Sequence, residues 1–307
     1  MFKKFLIFAV LVLACIDASA QTNKVAREFL QSANTHLRAN EYEAAAADYK
    51  KVIELEPNNA DALFYLIASL NSINPYSDPT EYWDRIIEVA PHYKLIYIVY
   101  MQRANYRARI GKFDESISDV NKALEFTPDD GSLYHLRGYS YIMKGNLEAA
   151  HADYNKSVEL KTRLQNPLLT RGYLLRMRRD FAGAVADYTM AIDWNPNDSI
   201  AYVDRGTVYV MMGQIDQGLA DIRKGMQLDQ VSVAERAIEG FGCPFCSLNV
   251  YVKGHPMDAR VYEARGILRI LQKQESDAKS EFDRSLSIAP ELKPEIERVK
   301  KEILSWN

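Results

Sequence analysis

Turn-forming residues are scarce in this chain, with 14 glycines and 11 prolines among 307 residues. So few breakers argue against a fold of many tight turns and short strands, and the abundant Ala, Leu, Glu, Asp and Tyr favour helices. A basic excess is also lacking, since 38 Lys and Arg stand against 41 Asp and Glu for a net formal charge of -3. Phosphate-driven binding therefore drops out as a main activity, and no nucleic-acid partner is expected. Beyond the leader there is no run of eighteen consecutive apolar residues, the length a membrane-spanning helix needs. Only five histidines occur, His36, His92, His135, His151 and His255, scattered without the spacing of metal ligands. Neither a glycine-rich phosphate loop nor a nucleophile elbow is found, so no catalytic residue, metal or cofactor is expected. What is present is apolar content: 48% hydrophobic against 26% charged residues describes a chain that folds around one large core or two modest ones.

The first twenty residues form a separate object. Lys3 and Lys4 precede ten apolar residues, Phe5 to Ala14, and the small triplet Ala18-Ser19-Ala20 comes before Gln21. This is the layout of a secretory signal peptide, because ten residues rise only about 15 Å as a helix against roughly 30 Å of hydrocarbon. Export to a periplasmic or extracellular compartment is expected. Cys15, after Val12-Leu13-Ala14, makes a weak lipobox, and membrane contact is expected only if that cysteine is lipidated.

The remainder is periodic. Pro57 and Pro91 are 34 residues apart, and Tyr134-His135-Leu136-Arg137-Gly138 matches Tyr202-Val203-Asp204-Arg205-Gly206 two periods later. Framing the late proline at position 32 gives repeats at 26–59, 60–93, 97–130, 131–164, 165–198, 199–232 and 259–292, with an insertion at 233–258 and a solvating end helix at 293–307. Within a repeat, positions 4, 7, 8 and 11 form one stripe and 20, 23, 24 and 27 another, the spacing of two amphipathic helices. Gly or Ala at position 8 and Ala at position 20 remove bulk where the two would cross. Pro57-Asn58-Asn59, Pro128-Asp129-Asp130 and Pro196-Asn197-Asp198 end one helix and cap the next. The second repeat departs at Pro75 and Pro79, where Asp78-Pro79-Thr80-Glu81 restarts its second helix.

This pattern of large, small, Tyr, Ala, aromatic and Pro positions resembles the tetratricopeptide repeat over about three quarters of the chain. The resemblance implies an all-α, right-handed α-solenoid of about seven helical hairpins with a C-terminal capping helix. It also implies that positions 2, 5, 9, 12 and 13 of the first helices line a concave groove for a protein or peptide. Those positions hold Arg27, Asn34, Arg38, Asn105 and Arg109 early in the chain. Later they hold His135, Tyr139, Ile142, Met143, Tyr173, Arg176, Met177, Val203, Val210 and Met211, with the three methionines 34 residues apart; positions 12 and 13 either face the groove or pack against the next repeat as core. The lysine and second asparagine by which some members grip a C-terminal carboxylate are replaced by Leu30 and Ala68, so that specificity is not carried over.

Arg103, Arg137, Arg171, Arg205 and Arg265 share position 7, while Asp48, Asp119, Asp153, Asp187 and Asp221, with Glu281, share position 23. Both lie on apolar stripes, where an unpaired charge is costly, so structural ion pairs are expected; spacing does not say whether each stays within its repeat. The insertion carries Cys243-Pro244-Phe245-Cys246, read as a structural disulfide in an oxidising compartment. A redox pair would want a βαβ core around it, and Cys243, Cys246 and His255 leave a metal short of ligands. The sequence thus reads as an exported, non-catalytic interaction scaffold. A thiol-redox or metal-binding accessory at the cysteine pair, and a self-assembling scaffold of unknown oligomeric state, are the alternatives.

Overall fold

The computed structural model describes residues 21, 23–160, 167–229, 233–239 and 247–306, and among them there are helices and turns but no strand. They divide into two compact units, Met1–Pro128 and Asp129–Asn307. The N-terminal unit contains α1 (23–38), α2 (Tyr42–Leu55), α3 (Ala60–Ile73), α4 (Thr80–Val89), α5 (Ile96–Arg109) and α6 (Phe113–Phe126). The C-terminal unit contains α7 (Gly131–Met143), α8 (Leu147–Glu159), α9 (Pro167–Met177), α10 (Phe181–Trp194), α11 (Ser199–Met211) and α12 (Ile215–Leu228). It continues with α13 (Val233–Glu239), α14 (Leu248–Gly254), α15 (Ala259–Leu271), α16 (Glu275–Ile288), a single 3-10 turn and α17 (Lys293–Leu304). Within each unit consecutive helices pack as antiparallel hairpins that stack on their neighbours. No described helix is long and apolar enough to cross a membrane.

The caps read from sequence are in place. Asn59 accepts from the Ala62 amide at 2.9 Å, Asp130 from Ser132 at 2.9 Å, and Asp198 from Ile200 and Ala201, both at 3.1 Å. Each satisfies a backbone donor that the first helical turn leaves without a partner. In the second repeat, Asp78 Oδ1 accepts from the Thr80 amide at 3.0 Å, and α4 begins there, after Pro79.

Four hairpins close by seating a ring on a residue without bulk. Tyr49, Tyr154, Tyr188 and Phe282, all at position 24, are fully buried. A Cβ on Gly172 would lie 2.6 Å from the Tyr188 ring, and one on Gly266 would lie 2.7 Å from that of Phe282. In the sixth repeat Ile222 replaces the ring and the backbones themselves approach: a Cβ on Gly206 would sit 2.7 Å from the Gly218 carbonyl oxygen. Serines at position 27 tie the hairpin ends together, Ser157 Oγ donating to the Gly131 carbonyl at 2.8 Å and Ser285 Oγ to that of Ala259 at 3.0 Å.

The charged positions pair within their own repeats. Arg103 Nε and Nη2 donate to Asp119 at 2.9 and 2.5 Å, and Arg137 donates to Asp153 at 2.8 and 2.7 Å. Arg171 reaches Asp187 at 2.7 and 2.5 Å, Arg205 reaches Asp221 at 2.7 and 2.9 Å, and Arg265 lies 2.7 Å from Glu281. The remaining guanidinium edge links backwards to position 25 of the preceding repeat: Arg103 to Asp84 at 2.5 Å, Arg171 to Asn155 and Arg205 to Thr189, both at 3.0 Å. One arginine thus fastens a hairpin and joins it to the previous one. The first repeat has Ser32 at position 7, and there His36 stands 3.7 Å from Asp48.

The two short helices α13 and α14 come from the insertion. Leu248–Val252, which alternates in sequence, is helical and places Leu248 and Tyr251, three residues apart, in the core. The seventh repeat still stacks on the sixth, α15 against α11. At the end, α17 packs on α15 through Ile296, Val299 and Ile303 and turns a Lys- and Glu-rich face outward.

Because Asp187 is nearly inaccessible, Arg171→Leu leaves a carboxylate buried without its partner and is expected to cost about 3 kcal/mol. Arg171→Leu combined with Asp187→Leu should recover most of that loss, since an apolar pair of similar volume removes the desolvation cost. Urea denaturation of the two variants checks this. Equal stability of the single variant and wild type would refute it.

Candidate functional site

In the N-terminal unit a cleft of about 260 Å³ opens between the first helices of the second and third repeats, lined by Asn71, Pro75, Trp83, Gln102, Asn105, Tyr106 and Arg109. The departure of the second repeat makes it. Pro75 and Pro79 delay α4, and the 74–79 turn forms one wall. From there the Pro75 carbonyl accepts from Arg109 Nη2 at 3.0 Å. The Arg109 guanidinium lies 5.6 Å from the Tyr76 ring and 5.7 Å from that of Tyr106, an arrangement that holds a long cation in place. The Trp83 ring is tilted against Tyr106 at 5.7 Å, and its buried Nε1–H has no acceptor among the described residues. Three side-chain amides, one fixed guanidinium and an aromatic floor can bind a polypeptide backbone, because each amide both donates and accepts.

Of the expected groove residues, Asn105 and Arg109 meet here. Arg27 and Arg38 lie on α1 and do not line the cleft. Asn34 is half-buried and its Oδ1 accepts from the Tyr49 hydroxyl at 2.8 Å. Asn71, at position 12, follows the same positional rule, but the irregular second repeat hides it. Gln102 and Tyr106 lie at positions 6 and 10, which the rule does not include, and no sequence signal marks Trp83 as part of a cleft.

In the C-terminal unit His135, Tyr139 and Met143 are half-buried, with the His135 ring edge-on to Tyr154 at 5.2 Å. Arg176 and Met211 do not line an open groove: Arg176 is 0% exposed and Met211 is 5% exposed. Met211 packs in a core that includes Ile238, Leu248 and Tyr251 of the insertion, with Met177 against it. Arg176 lies over the Tyr173 ring at 5.4 Å and 3.9 Å from Asp204, whose other oxygen accepts from the Tyr173 hydroxyl at 2.5 Å. Burial pushes the Asp204 carboxyl up to about 6, against the pull of Arg176 and the Tyr173 hydrogen bond. Glu263, also inaccessible, is pushed up by burial to about 7 although Arg260 donates to it at 2.7 Å. These are interior groups with no route to a substrate. Cys15, Cys243 and Cys246 lie outside the described residues, and among those described no cluster of His, Cys, Asp or Glu could hold a metal ion.

Residues 30–72 and 131–163 each match a family described as tetratricopeptide repeat. The chain carries tetratricopeptide repeats. Its fold is shared by a tetratricopeptide repeat protein from Parabacteroides merdae, at 19% identity over 92% of this chain and 99% of that one, with a TM-score of 0.58. It is shared also by PilF of Pseudomonas aeruginosa, at 15% identity over 69% of this chain and 96% of that one, with a TM-score of 0.55. No curated protein matches the chain.

Asp204 lies at position 6 of the sixth repeat's first helix, where its burial carries a cost that depends on pH. Asp204 and Glu263 hold their protons more tightly folded than unfolded, where ordinary values are 3.8 and 4.5. Their contribution to stability is therefore complete below about pH 4 and is lost as pH rises through 6 and then 7. An Asp204→Asn/Glu263→Gln variant keeps the neutral form at every pH. Its urea midpoint relative to wild type should rise steadily between pH 4 and 7, and a constant difference would contradict the assignment.

Proposed function

We propose that this tetratricopeptide repeat protein is an exported, non-catalytic scaffold that holds a segment of a partner polypeptide in the cleft of its second and third repeats. The fold is that of protein-interaction scaffolds. The observation that carries the finer reading is the convergence of Asn71, Gln102, Asn105 and Arg109 on one opening beside Trp83. These side chains offer donors, acceptors and apolar surface, the needs of an extended peptide, and none of them is a nucleophile or a base. Asn105 and Arg109 are exposed, so their replacement leaves the buried core intact; losing the Arg109 bond to the Pro75 carbonyl costs about 1 kcal/mol. The partner is a protein or peptide defined by this chemistry.

The test is affinity capture from an envelope extract with wild type and with Asn105→Ala/Arg109→Ala, the helical circular dichroism of the two being matched. A polypeptide retained by wild type and bound at least tenfold more weakly by the variant is the expected result. Equal retention would remove the cleft from the binding surface. Export rests on the Met1–Ala20 leader, and fractionation of producing cells should recover a chain starting at Gln21 outside the cytoplasm. Recovery of the uncut chain in the cytoplasm would contradict it.

A further inference from the structure

Positions 5, 12 and 13 of the sixth repeat, expected to meet a partner, are all buried, but not by one neighbour: Val203 and Val210 face Gly225 and Gly218 of α12, within their own hairpin. Met211, at position 13, lies in the core shared with Ile238, Leu248 and Tyr251 of the insertion, the last three being 0% exposed. α13 packs on α11, α12 and α15, and α14 packs on α13 and α15. α13 therefore lies against the first helices of the sixth and seventh repeats, the helices expected to face a ligand, while α15 continues the stack against α11.

One polar contact fastens the edge of this cover. Arg179, in the turn between α9 and α10, donates through Nη1 to Asp258 Oδ2 at 2.7 Å and to the Tyr251 hydroxyl at 3.2 Å. The Tyr251 hydroxyl itself donates to Asp258 Oδ2 at 2.9 Å. Arg179 has φ +63°, in the left-handed region, where the equivalent turns at 111, 145 and 213 use glycine. An arginine there carries backbone strain that glycine avoids. Asn40 and Lys273 share the conformation, so the backbone alone does not distinguish Arg179. Its side chain does, since it reaches residues 72 and 79 positions along the chain.

We propose that α13 and α14 are a resident ligand: a segment of this chain occupying in cis the surface that would take a helical partner. Arg179 latches the segment, and an amphipathic helix with the same Leu-x-x-Tyr spacing replaces it when the latch is undone. This rests on the reading of the first helices as the ligand-facing side. Two anchors three residues apart on α14 insert into a surface made by other helices, the way an amphipathic helix fills a groove. Tethering gives the segment a high local concentration, so a free helix competes poorly while the latch is closed.

The test uses the whole chain as wild type and as Arg179→Gly/Tyr251→Phe, which removes the latch, keeps the buried ring and suits the turn. Hydrogen exchange is followed by mass spectrometry, and a fluorescent peptide of residues 247–258 is the binding probe. Amides of 248–254 should exchange at least tenfold faster in the variant while those of α9 and α11 stay unchanged, and the probe should bind the variant at least tenfold more tightly than wild type. Unchanged exchange at 248–254 would overturn the latch. Acceleration of α9, α11 and α15 together with it would make the insertion an inseparable part of the core and overturn the proposal, as would a probe that gains no affinity. All these readouts lie in the C-terminal unit, so they stand or fall separately from the capture experiment on Asn105 and Arg109.

Discussion

Everything in this structure depends on how closely the two helices of a hairpin approach, and that distance is fixed where position 24 of the second helix meets position 8 of the first. With glycine at 138, 172 and 266, a tyrosine or phenylalanine lies flat in space that a Cβ would fill. With glycine at both 206 and 218 the ring is dispensed with and the backbones come together. Close approach in turn sets the reach of position 7. It brings the guanidinium within bidentate range of the acid at position 23 and leaves one edge to reach the neighbouring repeat, so sterics within a hairpin determine electrostatics between hairpins.

A stack built on nearest-neighbour contacts tolerates additions that leave those contacts alone. The 233–258 insertion is such an addition: α15 still meets α11, and the extra helices lie to one side. The delay of α4 is another, moving a turn outward and opening a cleft beside it. In both cases the departure from the 34-residue pattern falls at a surface where binding is expected. Regular repeats supply rigidity, and irregular ones supply a distinct surface.

The helices, their caps, the small-residue crossings and the residue types of the ion pairs were legible in the sequence because each recurs, and recurrence turns a weak local signal into a strong one. The pairing of the arginines was not legible, since an acid in the same hairpin and one in the hairpin before are both acceptable in a stack. Position rules selected Asn105 and Arg109, which line the cleft, and also Arg176 and Met211, which are buried. Positions 12 and 13 could equally pack inward, and Met211 does so, in the core that α13 joins. Leu248–Val252 alternates in sequence, but five residues are too few to separate a period of two from one of 3.6, and the backbone there is helical, with Leu248 and Tyr251 buried together.

Arg179 shows where a legible signal was present and its meaning was not. Arginine in a turn that takes glycine at 111, 145 and 213, though also asparagine at 40 and lysine at 273, is a local conflict that a distant contact can compensate. Here the compensation is two hydrogen bonds to a segment more than seventy residues away, one of them to a carboxylate that also caps α15. Asp258 thereby joins three elements: it starts the seventh repeat, receives the Tyr251 hydroxyl from the insertion, and receives the arginine of the fifth repeat's turn. A change in the cover is therefore felt at the start of α15 and at the α9–α10 turn through a single side chain. That physical continuity ties the insertion to two repeats at once, so it moves with them instead of hanging as a passive loop.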